Sequence, residues 1–138
     1  MINRVKPGTV DLVCLPEMIF TGTSFLCSIA GPILKRPVSP GYVWPDADAI
    51  TPYLEDPETG PTSRFCADLS KRLHCYVVAG YPEALGADEP RSVIIMENYE
   101  HEEVGANSAV MYDPDGTRVG NYRKTNPFET DKTWAKPG

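Results

Sequence analysis

The sequence predicts an α/β fold, and three observations carry that expectation. A helix-like stretch opening at Pro61 leads straight into the apolar run Cys75-Tyr76-Val77-Val78-Ala79-Gly80-Tyr81, as in an αβ unit. A second apolar run, Val10 to Leu15, lies near the N-terminus. Residues 108–122 carry the pattern of a β-hairpin.

The elements follow in chain order. Val10 to Leu15 is nearly all apolar, which suits a strand buried on both faces. Pro16 ends it, because proline has no N–H for the ladder. Residues 22–61 are rich in Gly, Pro and Asp without a sustained period, which predicts a long loop with one short helical turn around Ala47 to Leu54. Pro61-Thr62-Ser63 opens a helix with Thr62 or Ser63 as its N-cap. Phe65, Ala67, Leu69 and Leu73 form its apolar side, and Arg64, Asp68, Lys71 and Arg72 are available for solvent. The strand after it is closed by Gly80 and Pro82. Val93 to Met96 reads as a further strand, and Glu100-His101-Glu102-Glu103 as an exposed acidic stretch. Ser108 to Tyr112 and Thr117 to Tyr122 pair about Asp113-Pro114-Asp115-Gly116, where Pro in second and Gly in fourth place favour a type I turn.

Composition narrows the function. Apolar residues at 41% and charged residues at 23% suit one globular domain with a modest core. Thirteen basic against nineteen acidic residues give a net charge of −6, and no basic cluster exceeds the pairs Lys35-Arg36, Lys71-Arg72 and Arg123-Lys124. A nucleic-acid partner is therefore not expected. The opening Met-Ile-Asn-Arg-Val-Lys-Pro-Gly has no apolar signal core. The stretch Phe25 to Leu34 is broken by Gly31-Pro32 and too short to span a bilayer. The expected location is cytoplasmic, without a membrane partner and with Cys14, Cys27, Cys66 and Cys75 reduced. Cys66, His74 and Cys75 lack zinc-ligand spacing, so no metal is expected.

Two charges stand at strand ends. Glu17 follows an apolar strand and a proline, at a sheet rim where desolvation can raise a carboxyl's pKa and make it a useful base. Lys124 closes the hairpin, where it could hold a developing oxyanion. Read singly, Glu17 fits a solvated surface carboxylate better than a base, and Lys124 at its strand end is similar.

Together they say more. Leu15-Pro16-Glu17, Gly80-Tyr81-Pro82-Glu83, Asn107-Ser108-Ala109-Val110 and Asn121-Tyr122-Arg123-Lys124-Thr125 occur in this order at compatible spacing. The series resembles the carbon–nitrogen hydrolase (nitrilase) superfamily. The ending Tyr122 to Ala135 looks most like the fungal branch of protein N-terminal amidases, which deamidate N-terminal Asn or Gln. The resemblance covers residues 9–22, 42–83 and 106–138. It implies a partial four-layer α-β-β-α sandwich, no cofactor, and a small amide or a peptide N-terminus as substrate. It also implies a homodimer in the intact family. Glu17 matches the general base, Lys124 the oxyanion-stabilising lysine, and Glu129 or Asp131 the supporting carboxylate. The family's nucleophilic cysteine comes after the lysine, whereas all four cysteines here precede Lys124. A different amide substrate, such as an ω-amide or carbamoyl group, and a non-catalytic binding module are the alternatives.

The departures from the family pattern set further expectations. Only about ten residues precede the Leu-Pro-Glu strand, where relatives carry a strand and a helix, and no cysteine strand appears before Gly138. Phe20-Thr21-Gly22 is separated from Tyr42-Val43-Trp44 by residues 23–41, whose removal would restore a continuous family motif. That segment reads as an insertion, either translated intron or a surface loop of small entropic cost. Residues 1–138 are therefore expected to form an incomplete domain, inactive alone and, through its unpaired sheet edges, either a marginally stable monomer or a chain that needs a partner.

Overall fold

The computed structural model describes residues 4–20, 44–96 and 99–138, so the expected insertion at 23–41 and Cys27 lie outside the described residues. Within them the chain forms β1 (Leu12–Cys14), α1 (Ala47–Ile50) continued by a 3-10 turn (Thr51–Tyr53), and α2 (Pro61–Leu73). β2 (Tyr76–Ala84), β3 (Val93–Met96), β4 (Tyr99–Glu102), β5 (Gly105–Tyr112) and β6 (Arg118–Arg123) follow. One mixed sheet has the order β1-β2-β5-β6, and β3 and β4 form a separate hairpin. β1 runs parallel to β2, while β2, β5 and β6 are successively antiparallel.

Strand alternation divides the sheet into two faces. Val77, Ala79 and Tyr81 of β2 and Val110 and Tyr112 of β5 are buried in one core with Cys66, Leu69 and Leu73 of α2. Arg64, Asp68, Lys71 and Arg72 stay on the helix's exposed side, as its pattern predicts. The opposite face of the sheet carries Val78, Ala109 and Tyr122, with Ala109 directly opposite Tyr122. The α/β class expected from the helix–strand unit is the observed one.

Four local readings need correction. β1 is short, and Leu12 is 52% exposed, because β1 pairs on one side only and nothing among the described residues covers its outer face. β2 does not stop at Gly80 or Pro82 but continues to Ala84. Pro82 is tolerated because β1 has already ended there. Beyond it a single residue, Glu55, takes over that edge, donating to the Pro82 carbonyl and accepting from Ala84 N–H at 2.8 Å each. Helix α2 is not capped by Thr62 or Ser63. Gly60 is the N-cap with Pro61 at the first position. The buried Glu55 carboxylate instead accepts from Thr62 N–H at 2.8 Å and from its hydroxyl at 3.0 Å. A negative charge at a helix N-terminus is favoured by the exposed N–H groups there. Lastly, Glu103 is not exposed: it is buried and accepts from Ser92 N–H at 3.0 Å.

The hairpin turn has the expected chemistry. Gly116 N–H donates to the Asp113 carbonyl at 2.9 Å, and the Asp113 carboxylate accepts from the N–H groups of Asp115 and Thr117. Gly116 adopts φ 76°, which a residue with a Cβ reaches only with strain. The register then shifts between Met111 and Tyr112, so that Gly120 faces Met111 and Arg118 faces Tyr112. The shift is the bulge that such a turn creates.

Candidate active site

The site begins where β1 ends. Met18 and Ile19 are both buried, Ile19 in the helix-side core and Met18 in a second cluster with Trp44, Ile50, Trp134 and Ala135. Anchored into two cores in succession, the chain turns sharply, and Met18 takes a left-handed φ of 49°. Such a conformation costs a non-glycine residue on the order of 1–3 kcal/mol and persists only where packing imposes it. Gly80 permits the turn, since a Cβ there would lie 2.7 Å from Glu17 Cα. Glu17 is thus held against β2, with its side chain 50% exposed, so the desolvation expected from the sequence is only partial.

Lys124 arrives from the other side of the sheet. Its N–H donates to the Asn107 carbonyl at 2.8 Å, extending the β5–β6 ladder by one residue. Its ammonium donates to Glu17 Oε1 and to Asp131 Oδ2, each at 3.0 Å. Asp131, only 3% exposed, also accepts from Phe128 N–H at 3.1 Å. Of the two carboxylates expected to support the lysine, Asp131 is the one beside it. Glu129 is 72% exposed and pairs with Lys132 at 2.7 Å.

Glu17 and Lys124 line an open hollow of about 220 Å³ with Leu15, Val78, Gly80 and Tyr122 among its walls. Cys14 also reaches this hollow, a placement that the sequence reading did not foresee. The other described cysteines do not. Cys66 is buried on the helix side, where burial and the nearby Glu55 push its thiol up to about 12, the behaviour of an inert structural cysteine. Among the described residues no group of three or more His, Cys, Asp or Glu side chains could hold a metal ion, and no helix is long and apolar enough to cross a membrane.

Behind the sheet a second ionic network braces the strand that carries Lys124. Glu83, 3% exposed, accepts from Ser108 Oγ at 2.6 Å, Asn121 Nδ2 at 2.9 Å and Arg123 at 2.7 Å. Arg123 also pairs with Glu89, which in turn contacts Lys136 at 3.2 Å. Because neighbours in a strand point to opposite faces, Arg123 grips the back of the sheet while Lys124 serves the front. Burial pushes the Glu83 carboxyl up, but the donors from Arg123, Ser108 and Asn121 outweigh it and leave it below the ordinary value of 4.5. Arg123 above all, with Lys136 adding to it against a smaller effect of burial, brings Glu89 down to about 2.

Both carboxylates therefore bind protons more weakly when folded than when unfolded. Their contribution to stability is present above pH 4.5 and is lost as the pH falls from there toward 2. Thermal melts followed by circular dichroism are expected to show that decline, and Glu89→Gln should flatten it. A melting temperature constant from pH 5 to pH 3 would refute the assignment.

Three contributors went unassigned in the sequence: Asn107, Glu83 and Arg123. All stand inside the quoted motifs. A glutamate inside the largely apolar strand β2 is itself a signal, because a charge buried in a strand needs a partner.

The carbon-nitrogen hydrolase family profile matches residues 1–138, and the chain belongs to that family. It is 28% identical over 130 residues to the protein N-terminal amidase of Saccharomyces cerevisiae (strain ATCC 204508 / S288c), covering 94% of this chain and 20% of that protein. It is 25% identical over 137 residues to the protein N-terminal amidase of Schizosaccharomyces pombe (strain 972 / ATCC 24843), covering 96% of this chain and 44% of the relative. The chain thus spans from a fifth to less than half the length of these curated relatives. A crystal structure of N-terminal amidase with an Asn-Glu-Ala peptide shares the fold, with a TM-score of 0.63 and 22% identity over 93% of this chain and 22% of that one.

Proposed function

We propose that residues 1–138 supply the base and oxyanion-holding part of an amidase site that deamidates N-terminal Asn or Gln in the cytoplasm. The observation that carries this reading is the ammonium of Lys124 set 3.0 Å from both Glu17 and Asp131 on the wall of a hollow. The relatives' shared description as N-terminal amidases supports the substrate class.

In this reading Glu17 takes the proton of a cysteine thiol, and the thiolate attacks the side-chain amide carbon. The negative charge that develops on the amide oxygen is met by the Lys124 ammonium. Glu17 returns the proton to the leaving nitrogen, and ammonia departs. A thioester remains, and Glu17 deprotonates the water that hydrolyses it, giving N-terminal Asp or Glu and free thiol. Asp131 holds Lys124 in place throughout. The thiol comes from outside these 138 residues, and the working enzyme is a homodimer.

The position of Cys14 in the hollow favours a second reading, in which that thiol is itself the nucleophile. Ammonia release from a peptide beginning with Asn separates the two. Under the first reading residues 1–138 release none alone. A chimera carrying them in place of the matching segment of the Schizosaccharomyces pombe relative does release it. Release by the 138-residue chain that disappears in Cys14→Ser would overturn the first reading and establish the second.

A further inference from the structure

We propose that Asn107 is a positioning residue that holds Glu17 and Asp131 on either side of Lys124, an inference that rests on the reading of these three as the working site. Asn107 is 4% exposed at the start of β5. Its Nδ2 donates to Asp131 Oδ2 at 3.1 Å and to Glu17 Oε1 at 3.4 Å. Those are the same two oxygens that the Lys124 ammonium contacts. Two donors and two acceptors therefore alternate around a closed ring, with the ammonium and the amide at opposite corners. The identity of the amide atom is dictated by chemistry: ionised carboxylates only accept, so the group turned toward both must be the NH2. The Asn107 carbonyl on the main chain takes the Lys124 N–H at 2.8 Å, so one residue touches all three members.

The ring solves a problem that the charges create. Two carboxylates around one ammonium repel each other, and a compact ammonium with rotatable donors sets their distance more than their orientation. A neutral second donor fixes both from the far side without adding a charge that would compete with Lys124. The orientation of the Glu17 carboxylate is then set from two directions, as a base that must meet a proton at a defined point requires. A donor bonded to the charged carboxylates lowers their proton affinity, whereas an amide satisfied elsewhere leaves it unchanged.

The test reads that affinity in the 138-residue chain, by carbon-detected NMR titration of the Glu17 and Asp131 carboxyls. Asn107→Ala removes the donor and adds no charge, so the charged carboxylates lose a hydrogen bond that favours them. At least one of the two midpoints is expected to rise by about one pH unit or more. Unchanged midpoints in a folded variant would overturn the proposal, even if the variant melted earlier. A measurement on the unaltered chain covers the case in which the variant does not fold. The side-chain amide protons of Asn107 should shift as Glu17 and Asp131 titrate, and amide protons indifferent to both titrations would also overturn it. Because neither readout needs turnover, failure here is separable from failure of the ammonia assay.

Discussion

Arg123→Met is expected to destabilise the chain by about 2–3 kcal/mol, less than the cost of breaking a fully buried ion pair, because Arg123 is itself 26% exposed. The substitution leaves the Glu83 carboxylate, 3% exposed, with Ser108 and Asn121 as donors but no cation. Glu89 loses its guanidinium partner at the same time and keeps only Lys136 as a cation. Domains are typically stable by roughly 5–15 kcal/mol, so a loss of this size is a sizeable fraction of the whole. Adding Glu83→Gln should restore part of the loss. A neutral amide still offers its carbonyl to Asn121 and Ser108 but no longer strands a charge. Urea unfolding of the two variants checks both statements. An Arg123→Met midpoint equal to that of the unaltered chain would show that the network contributes nothing.

The second large effect concerns chemistry. In the chimera described above, Lys124→Met is expected to lower ammonia release by about a thousandfold or more. Loss of one oxyanion donor alone typically costs about 10²–10³ in turnover, and here the cation that holds two carboxylates apart disappears with it. Stability should suffer less than in Arg123→Met, because Asp131 keeps the donors Asn107 Nδ2 and Phe128 N–H. Lys124→Arg is not expected to rescue the rate. A guanidinium is a planar fork, whereas the present site presents two single oxygens to one compact ammonium at 3.0 Å each. A Lys124→Met chimera that turned over at an undiminished rate would remove the lysine from the mechanism.

The part of the site legible in the sequence was the part set by local chemistry. Proline after an apolar run marked where Glu17 leaves its strand, and Asp-Pro-Asp-Gly marked the turn that brings Lys124 back beside Asn107. What escaped was set by partners distant in the chain. Glu17 and Lys124 lie 107 residues apart, and their meeting depends on the β1-β2-β5-β6 order, which no local pattern encodes. Pro82 looked like a strand end because its neighbour on that edge, Glu55, comes from a loop with no strand pattern of its own. The same Glu55 displaced Thr62 as the expected cap. Asp131 and Glu129 were indistinguishable by spacing. Only the fold shows one folded back under Lys124 with a main-chain donor and the other paired with Lys132 in solvent. Met18 illustrates the limit from another side: its left-handed backbone follows from being packed into one core while Ile19 enters another.

The most direct measurement is the rate at which the chimera releases ammonia from a peptide beginning with Asn, with Glu17 intact and with Glu17→Gln. Amidase chemistry driven by Glu17 predicts ready release by the first and a loss of about a hundredfold or more in the second, as befits removal of a general base. Equal rates from two folded chimeras, or no release from a folded chimera with Glu17 intact, would contradict the account.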